Sequence, residues 1–341
     1  MSTIKTVSDL RDHYLAFNQR LEESTKGSYK RAISAFIRRM GDLELKRLSI
    51  EHAEQFQLWL CNRYPSRTTV NIYMKSCRAV FNYGKRRGLI PGDMFAVEPM
   101  KVVEERKRVY SDAETNRLLE AANSMWRTRI LFGYVCGMRR GEVLNLTFSD
   151  VDEERMVVYV QSKRQTSCTW QWYTKNKTSR SLPITKAILS AVKQRRHELP
   201  PEQEYICLSE SRCWRVLNMQ RLGTLTERIR KCPDECFTRP YKQILRKAKI
   251  ADGTFHDLRR SYGTQTSAKV PMPILAYLMG HADIKTTAKY YIKNEQAKNV
   301  EAAREAINTI GVAEFESAAS ASPRQRSNQA ELHPVSVGLN Y

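Results

Sequence analysis

The stretch from Gly253 to Ile292 constrains this chain more than any other. It reads GTFHDLRRSYGTQTSAKVPMPILAYLMGHADIKTTAKYYI. His256 and Arg259 stand three apart just after a Gly-Thr helix start, and on a helix that spacing puts both side chains on one face. Gly280 closes a short apolar helix, Ile274 to Met279, and His281 follows it directly. Tyr290 comes nine residues past His281, with Tyr291 beside it. One segment therefore supplies two histidines, an arginine and a tyrosine on small helices that can fold back on one another. Such a set suits an anionic substrate, a phenolic nucleophile and proton transfer. Taken singly, each residue reads as a packing residue or a surface charge; the combination is far more specific.

The charge balance points the same way. The chain has 341 residues, enough for two domains with real cores, and 57 Lys and Arg against 36 Asp and Glu give a formal charge of +21. That excess favours a polyanionic partner, since each phosphate contact releases counterions. The basic residues are spread through helical stretches rather than gathered in a tail, which favours a folded nucleic-acid-binding protein. A basic membrane-surface or ribosome-associated protein is the competing reading of charge alone. No signal peptide opens the chain and no apolar run reaches the length of a membrane span, so a cytoplasmic protein with reduced thiols is expected. Cys207, Cys213, Cys232 and Cys236 raise a zinc reading, but C-x5-C and C-x3-C are not usual finger spacings and no His lies close by, so no metal and no cofactor are expected.

Residues 1–90 read as a helical domain of four helices. The first carries Leu10, Tyr14 and Phe17 at helical spacing, and the second puts Tyr29, Ile33, Phe36, Ile37 and Met40 on one face before Gly41 stops it. The third buries Phe56, Trp59 and Leu60; the fourth shows Val70, Met74, Cys77, Val80 and Phe81. Basic faces on the second and fourth helices nominate Lys30, Arg31, Lys75 and Arg78 as DNA contacts, against the plainer reading of a bundle with solvated cations. Residues 91–110 lack periodicity, contain two prolines and read as an interdomain linker. Ser111-Asp-Ala-Glu114 is a capping-box pattern that opens a second domain over 111–311. Its apolar helix Arg127 to Cys136 is central and ends at Gly137, just before Arg139, which needs an anionic partner if buried; Glu142 is one turn away. Strands are expected over Met156–Gln161, Gln171–Thr174 and Ser181–Ile184, with Lys175 on a turn between the last two and Lys177 as the runner-up lysine. Residues 294–309 predict a helix with Val300, Ala303 and Ile307 on one face, and 312–341 a disordered tail. The fold class is thus mainly α with a small antiparallel β-sheet, α+β, in two domains.

Three pieces of this sequence resemble the tyrosine recombinase (phage integrase) family. His256-Asp-Leu-Arg259, Leu278-Met-Gly-His281 and Thr286-Thr-Ala-Lys-Tyr290 fit the family's second box, with Met279 a one-residue variation. Gly137-Met-Arg139-Arg-Gly-Glu142-Val resembles its first box, and Lys175, eight residues before Pro183, matches its hairpin lysine; residues 162–170 look like an insertion relative to the shorter family pattern. The resemblance implies a catalytic set of Arg139, Lys175, His256, Arg259, His281 and Tyr290. It further implies site-specific cutting and rejoining of double-stranded DNA through a 3′-phosphotyrosine intermediate, by a chain that is monomeric when free and a homotetramer on DNA. In the family the C-terminal helix packs onto a neighbouring protomer. Rival readings are a type IB-like topoisomerase, a transposase of a mobile element and a DNA-binding accessory protein without activity.

Overall fold

The computed structural model describes residues 4–93, 95–103, 108–175 and 178–291. Two helical lobes each hold a separate hydrophobic core. In the first lobe, α1 (Val7–Phe17) starts at Thr6, whose hydroxyl accepts from the Asp9 N–H while the Asp9 carboxylate accepts from the Thr6 N–H. That reciprocal cap fixes where the chain becomes helical. α2 (Glu23–Met40) ends at Gly41, which takes a left-handed φ of 85°. α3 (Ile50–Arg63) and α4 (Arg67–Arg86) complete the bundle. The apolar stripes meet around Phe36, which sits edge-on to Phe56 at 5.2 Å and to Phe81 at 5.3 Å. Phe17 departs from the expected buried face: it is 64% exposed, at the last residue of α1, with the Arg87 guanidinium 4.9 Å from its ring.

Residues 91–103, read as a linker, lie largely against this lobe. Phe95 is buried and stacks on Phe81 at 4.6 Å, and Asn71 makes a two-way amide pair with the Met100 backbone at 2.8 Å each way. Arg78 donates to the Phe95 and Val97 carbonyls at 2.8 and 2.5 Å. Prolines and the lack of periodicity excluded a helix here; they did not exclude docking.

The second lobe runs α5 (Asp112–Ala121), α6 (Ser124–Val135), α7 (Arg140–Leu144), β1 (Val151–Asp152), β2 (Val157–Val160), β3 (Arg180–Pro183), α8 (Lys186–Glu198), α9 (Glu210–Arg221), α10 (Glu227–Lys231), α11 (Thr238–Lys247), α12 (Phe255–Ser267) and α13 (Met272–Met279). Residues 284–291 are again helical. The three strands form one antiparallel sheet in the order β1-β2-β3, with Val158 opposite Leu182. α6 is the central element, packed against α12, α8 and α5. It approaches α12 closely because Gly133 has no Cβ; one would lie 3.0 Å from the Phe255 ring.

The strand expected over Gln171–Thr174 is not a strand. Only Trp172 pairs, with Lys163, closing the inserted residues into a small loop. Just before it, Trp170 is fully buried, stacks on Tyr205 at 3.7 Å and donates its indole N–H to Asn145 at 2.8 Å. Cys207 and Cys213 are core residues of this lobe. Among the described residues no helix is long and apolar enough to cross a membrane. The helix expected over 294–309, the tail after it and Lys177 lie outside the described residues.

Candidate active site

The site is organised by the C-terminal end of α13. A helix end leaves its last carbonyls without intrahelical partners and carries partial negative charge. Here three consecutive carbonyls are each taken by a different arginine. Arg180 Nε donates to Leu278 O at 2.9 Å, Arg259 Nη2 donates to Met279 O, and Arg139 Nη2 donates to Gly280 O at 2.7 Å. Gly280 is left-handed, φ 58° and ψ 47°, so the chain turns there and delivers His281 to the same place. A Cβ at Gly280 would lie 2.9 Å from Arg180 Nη1, so glycine answers both the backbone and the space.

Each arginine arrives from a separate element. Arg139 is the N-cap of α7, placed there by the left-handed turn at Gly137, φ 61°. Arg259 projects from α12, is 2% exposed, and also donates to Gly137 O at 2.6 Å. Arg180 begins β3 and is buried. Among the described residues one carboxylate, Glu142, faces this cluster. Glu142 Oε1 accepts from Arg139 Nη1 at 2.9 Å and Arg180 Nη1 at 3.0 Å; Oε2 accepts from Arg180 Nη2 at 2.8 Å and the Arg139 N–H at 2.7 Å. Burial alone would raise the Glu142 pKa, but the Arg180 fork and the charges of Arg139 and Arg259 bring it down to about 2. Three guanidiniums against one carboxylate leave positive charge in excess. Burial, then the neighbouring charge of Arg139, works against the Arg259 cation, yet a guanidinium keeps its proton. An anion entering here relieves that repulsion.

The two histidines and the tyrosine border the cluster. His281 shares a hydrogen bond with the buried Thr287 hydroxyl, 2.9 Å from Nδ1. Burial, then the charges of Arg259, Arg139 and Arg180, lower its pKa to about 4, so the ring is neutral at physiological pH. His256, one turn before Arg259 on α12, faces solvent, and its pKa is also lowered, first by the surrounding protein and then by Arg259 and Arg260. The Tyr290 ring lies parallel to that of His281, centroids 6.3 Å apart at 12°, and rests against Gly263, where a Cβ would come within 2.7 Å of it. Burial raises the Tyr290 pKa, while Arg259, Arg260 and Arg139 pull it back. Tyr291 turns away and donates to Val270 O at 2.5 Å.

Lys175 is exposed on its turn and lines a cleft of about 630 Å³ with Arg139, Glu142, Arg230, Lys231 and Glu22. Glu22 belongs to the first lobe, and Lys231 donates to it at 2.8 Å, so the cleft lies between the lobes. Arg139, Arg259, His281 and Tyr290 thus share one locus, with His256 exposed beside it and Lys175 lining the same cleft as Arg139. Of the DNA contacts nominated from sequence, Lys30 and Arg31 line a second basic cleft, of about 800 Å³, with Arg38, Arg63 and Trp59, and Lys75 is exposed. Arg78 donates Nε and Nη2 to the carbonyls of residues 95 and 97, which makes it a tether for that segment. Arg180 was missed. Its signal was the alternation in β3, where Arg180 and Leu182 share the buried face and a buried cation demands a carboxylate.

A two-lobed, mainly helical chain whose site gathers arginines, histidines and a tyrosine belongs to the class that handles phosphodiesters with protein groups. The family model for the phage integrase family matches residues 108–297, and that for the phage integrase SAM-like domain matches residues 7–102. The chain belongs to the phage integrase family, the tyrosine-type site-specific DNA recombinases. A XerC-like tyrosine recombinase of Caldanaerobacter subterraneus subsp. tengcongensis is 25% identical over 270 residues, 72% of this chain and 68% of that protein. A tyrosine recombinase of Thermosipho africanus is 23% identical, covering 86% of this chain and 96% of that one. Among solved structures, the Tn1549 transposon integrase in complex with a circular intermediate DNA superposes with a TM-score of 0.67 at 17% identity, over 84% of this chain and 95% of that one. A lambda integrase tetramer bound to a Holliday junction superposes with a TM-score of 0.61 at 17% identity, over 82% of this chain and 78% of that one.

Proposed function

We propose that this recombinase cuts and rejoins duplex DNA with Tyr290 as nucleophile and Arg139, Lys175, His256, Arg259 and His281 as its catalytic partners. The observation that carries the reading is the meeting of Arg139 and Arg259 at the end of α13, beside the His281–Tyr290 stack. Charge on the nonbridging oxygens grows as a phosphodiester is attacked, and the two guanidiniums hold it by charge-assisted hydrogen bonds. His281, neutral, donates a further hydrogen bond to a phosphate oxygen. Tyr290 Oη attacks phosphorus and gives up its proton, with His256 assisting the transfer. The bond from phosphorus to the 5′ oxygen breaks, and that oxygen takes a proton from Lys175. The products are a 3′-phosphotyrosyl ester and a free 5′-hydroxyl. Attack by the 5′-hydroxyl of another strand reverses each transfer and releases Tyr290. One phosphate ester replaces another at every step, so the exchange needs no ATP, and protein cations meet the phosphate charge without a metal ion.

The basic clefts of both lobes are read as gripping one duplex from two sides, with Lys30, Arg31 and Lys75 on its backbone. A chain that is monomeric when free and a homotetramer on two DNA sites fits the exchange of strands between duplexes, and the similar lambda integrase assembly supports it. A cytoplasmic location belongs to the same reading. The test is covalent capture: a library of nicked duplexes with randomised centres, incubated with the protein and denatured, yields a protein–DNA adduct with the parent and none with Tyr290→Phe. Equal trapping by both would end the assignment of the nucleophile.

A further inference from the structure

Arg180 has all the marks of a group that works on the reaction without touching DNA. Its side chain is 5% exposed, and that of Glu142, which it grips with both terminal nitrogens, is 3% exposed, whereas that of Arg139 is 24% exposed and reaches the cleft. Every nitrogen of Arg180 is committed inside the protein: Nη1 and Nη2 to the two Glu142 oxygens, Nε to Leu278 O. The same two oxygens hold the Arg139 backbone N–H and Nη1. Glu142 is therefore a shared acceptor whose position is set on one side by Arg180 and whose other side sets Arg139.

We propose that Arg180 is a positioning residue of the strand-cutting step, acting on Arg139 through Glu142. This rests on the reading above, in which Arg139 holds the scissile phosphate. Removing the Arg180 fork leaves a buried carboxylate with Arg139 as its remaining side-chain cation. Glu142 then draws the Arg139 guanidinium inward, away from the cleft, because a buried carboxylate demands compensation. The planar fork is the feature at stake, since a lysine ammonium retains the charge without spanning both oxygens. Arg180 also satisfies Leu278 O in the row of three carbonyls, so it fixes the helix end from which Arg139 takes its other bond.

The test is a double-mutant cycle on single-turnover covalent adduct formation, with the selected nicked duplex as substrate. Arg180→Gln in the parent background is expected to slow adduct formation about 100-fold, the size of losing one oriented oxyanion donor. Arg180→Lys should fall between parent and Arg180→Gln. In an Arg139→Lys background, Arg180→Gln should cost less than about threefold more, because groups acting as one unit are not additive. Affinity for the uncut duplex should stay within about threefold of parent, since Arg180 contacts no DNA in this reading. Parent-like cutting by both Arg180 variants would overturn the proposal. So would an equal slowing by Arg180→Gln in both backgrounds, which marks a general scaffold role. A parent protein that forms no adduct at all would overturn the underlying site reading, and this proposal with it.

Discussion

Tyr290 and Tyr291 are neighbours in sequence and part company in space. Tyr291 is spent on the Val270 carbonyl, while the Tyr290 ring is seated on Gly263 beside His281. Gly263→Ala puts a methyl group 2.7 Å from the Tyr290 ring and must displace it. We expect adduct formation to fall by about 100-fold, the usual cost of a misplaced reacting group, while thermal unfolding changes far less. His281 gives a second residue-scale outcome. Its pKa is 6.5 for a free ring and about 4 here, so protonation favours the unfolded chain. The stability it contributes is full above 6.5 and is lost as pH falls toward about 4; the slope of urea midpoint against pH should flatten in that window in His281→Gln. DNA binding should raise the His281 pKa, followed by NMR titration, because a phosphate opposes the charges of Arg259 and Arg139. Much of this locus was legible in the sequence, since His256, Arg259, His281 and Tyr290 fall within one segment whose spacings carry the pattern. Arg180 was harder to read: the alternation in β3 marks its position as inward, but its partner Glu142 is distant in sequence and a strand arginine between polar neighbours reads as a surface charge.

Elements were legible where a helical period was long, as in α2 and α4, or where an apolar run was bounded by a cap, as in α6, and less so where aromatic residues stood in for a period. The expected strand Gln171–Thr174 bridges only at Trp172, next to the buried Trp170 ring that faces Tyr205. Packing of a single indole outweighed β-propensity. The inserted loop is thereby pinned to the core, and Trp170→Ala should destabilise the protein by about 3–5 kcal/mol, measured by urea unfolding. Residues 91–103 teach the same lesson from the other side. Nothing in a Pro-containing aperiodic stretch shows that Phe95 fills the gap beside Phe81, because the pocket is made by residues far away in the chain.

At the scale of the whole molecule, the two lobes meet across the cleft through Glu22 and Lys231, whose side chains are 49% and 38% exposed. Such an exposed pair is worth about 0–1 kcal/mol, so it adds little to holding the lobes together. The net charge of +21 makes binding a matter of counterion release. Affinity for duplex DNA should fall about 10³- to 10⁵-fold between 50 and 200 mM salt if six to ten phosphates are contacted, as read from the salt dependence of binding. In the proposed reaction a single tyrosine becomes joined to a cut strand. The most direct measurement is to digest the trapped protein–DNA adduct and locate the nucleotide-bearing residue by mass spectrometry. The nucleotide is expected on Tyr290 with Tyr291 unmodified; a nucleotide on Tyr291 or on any other residue would rule Tyr290 out as the nucleophile.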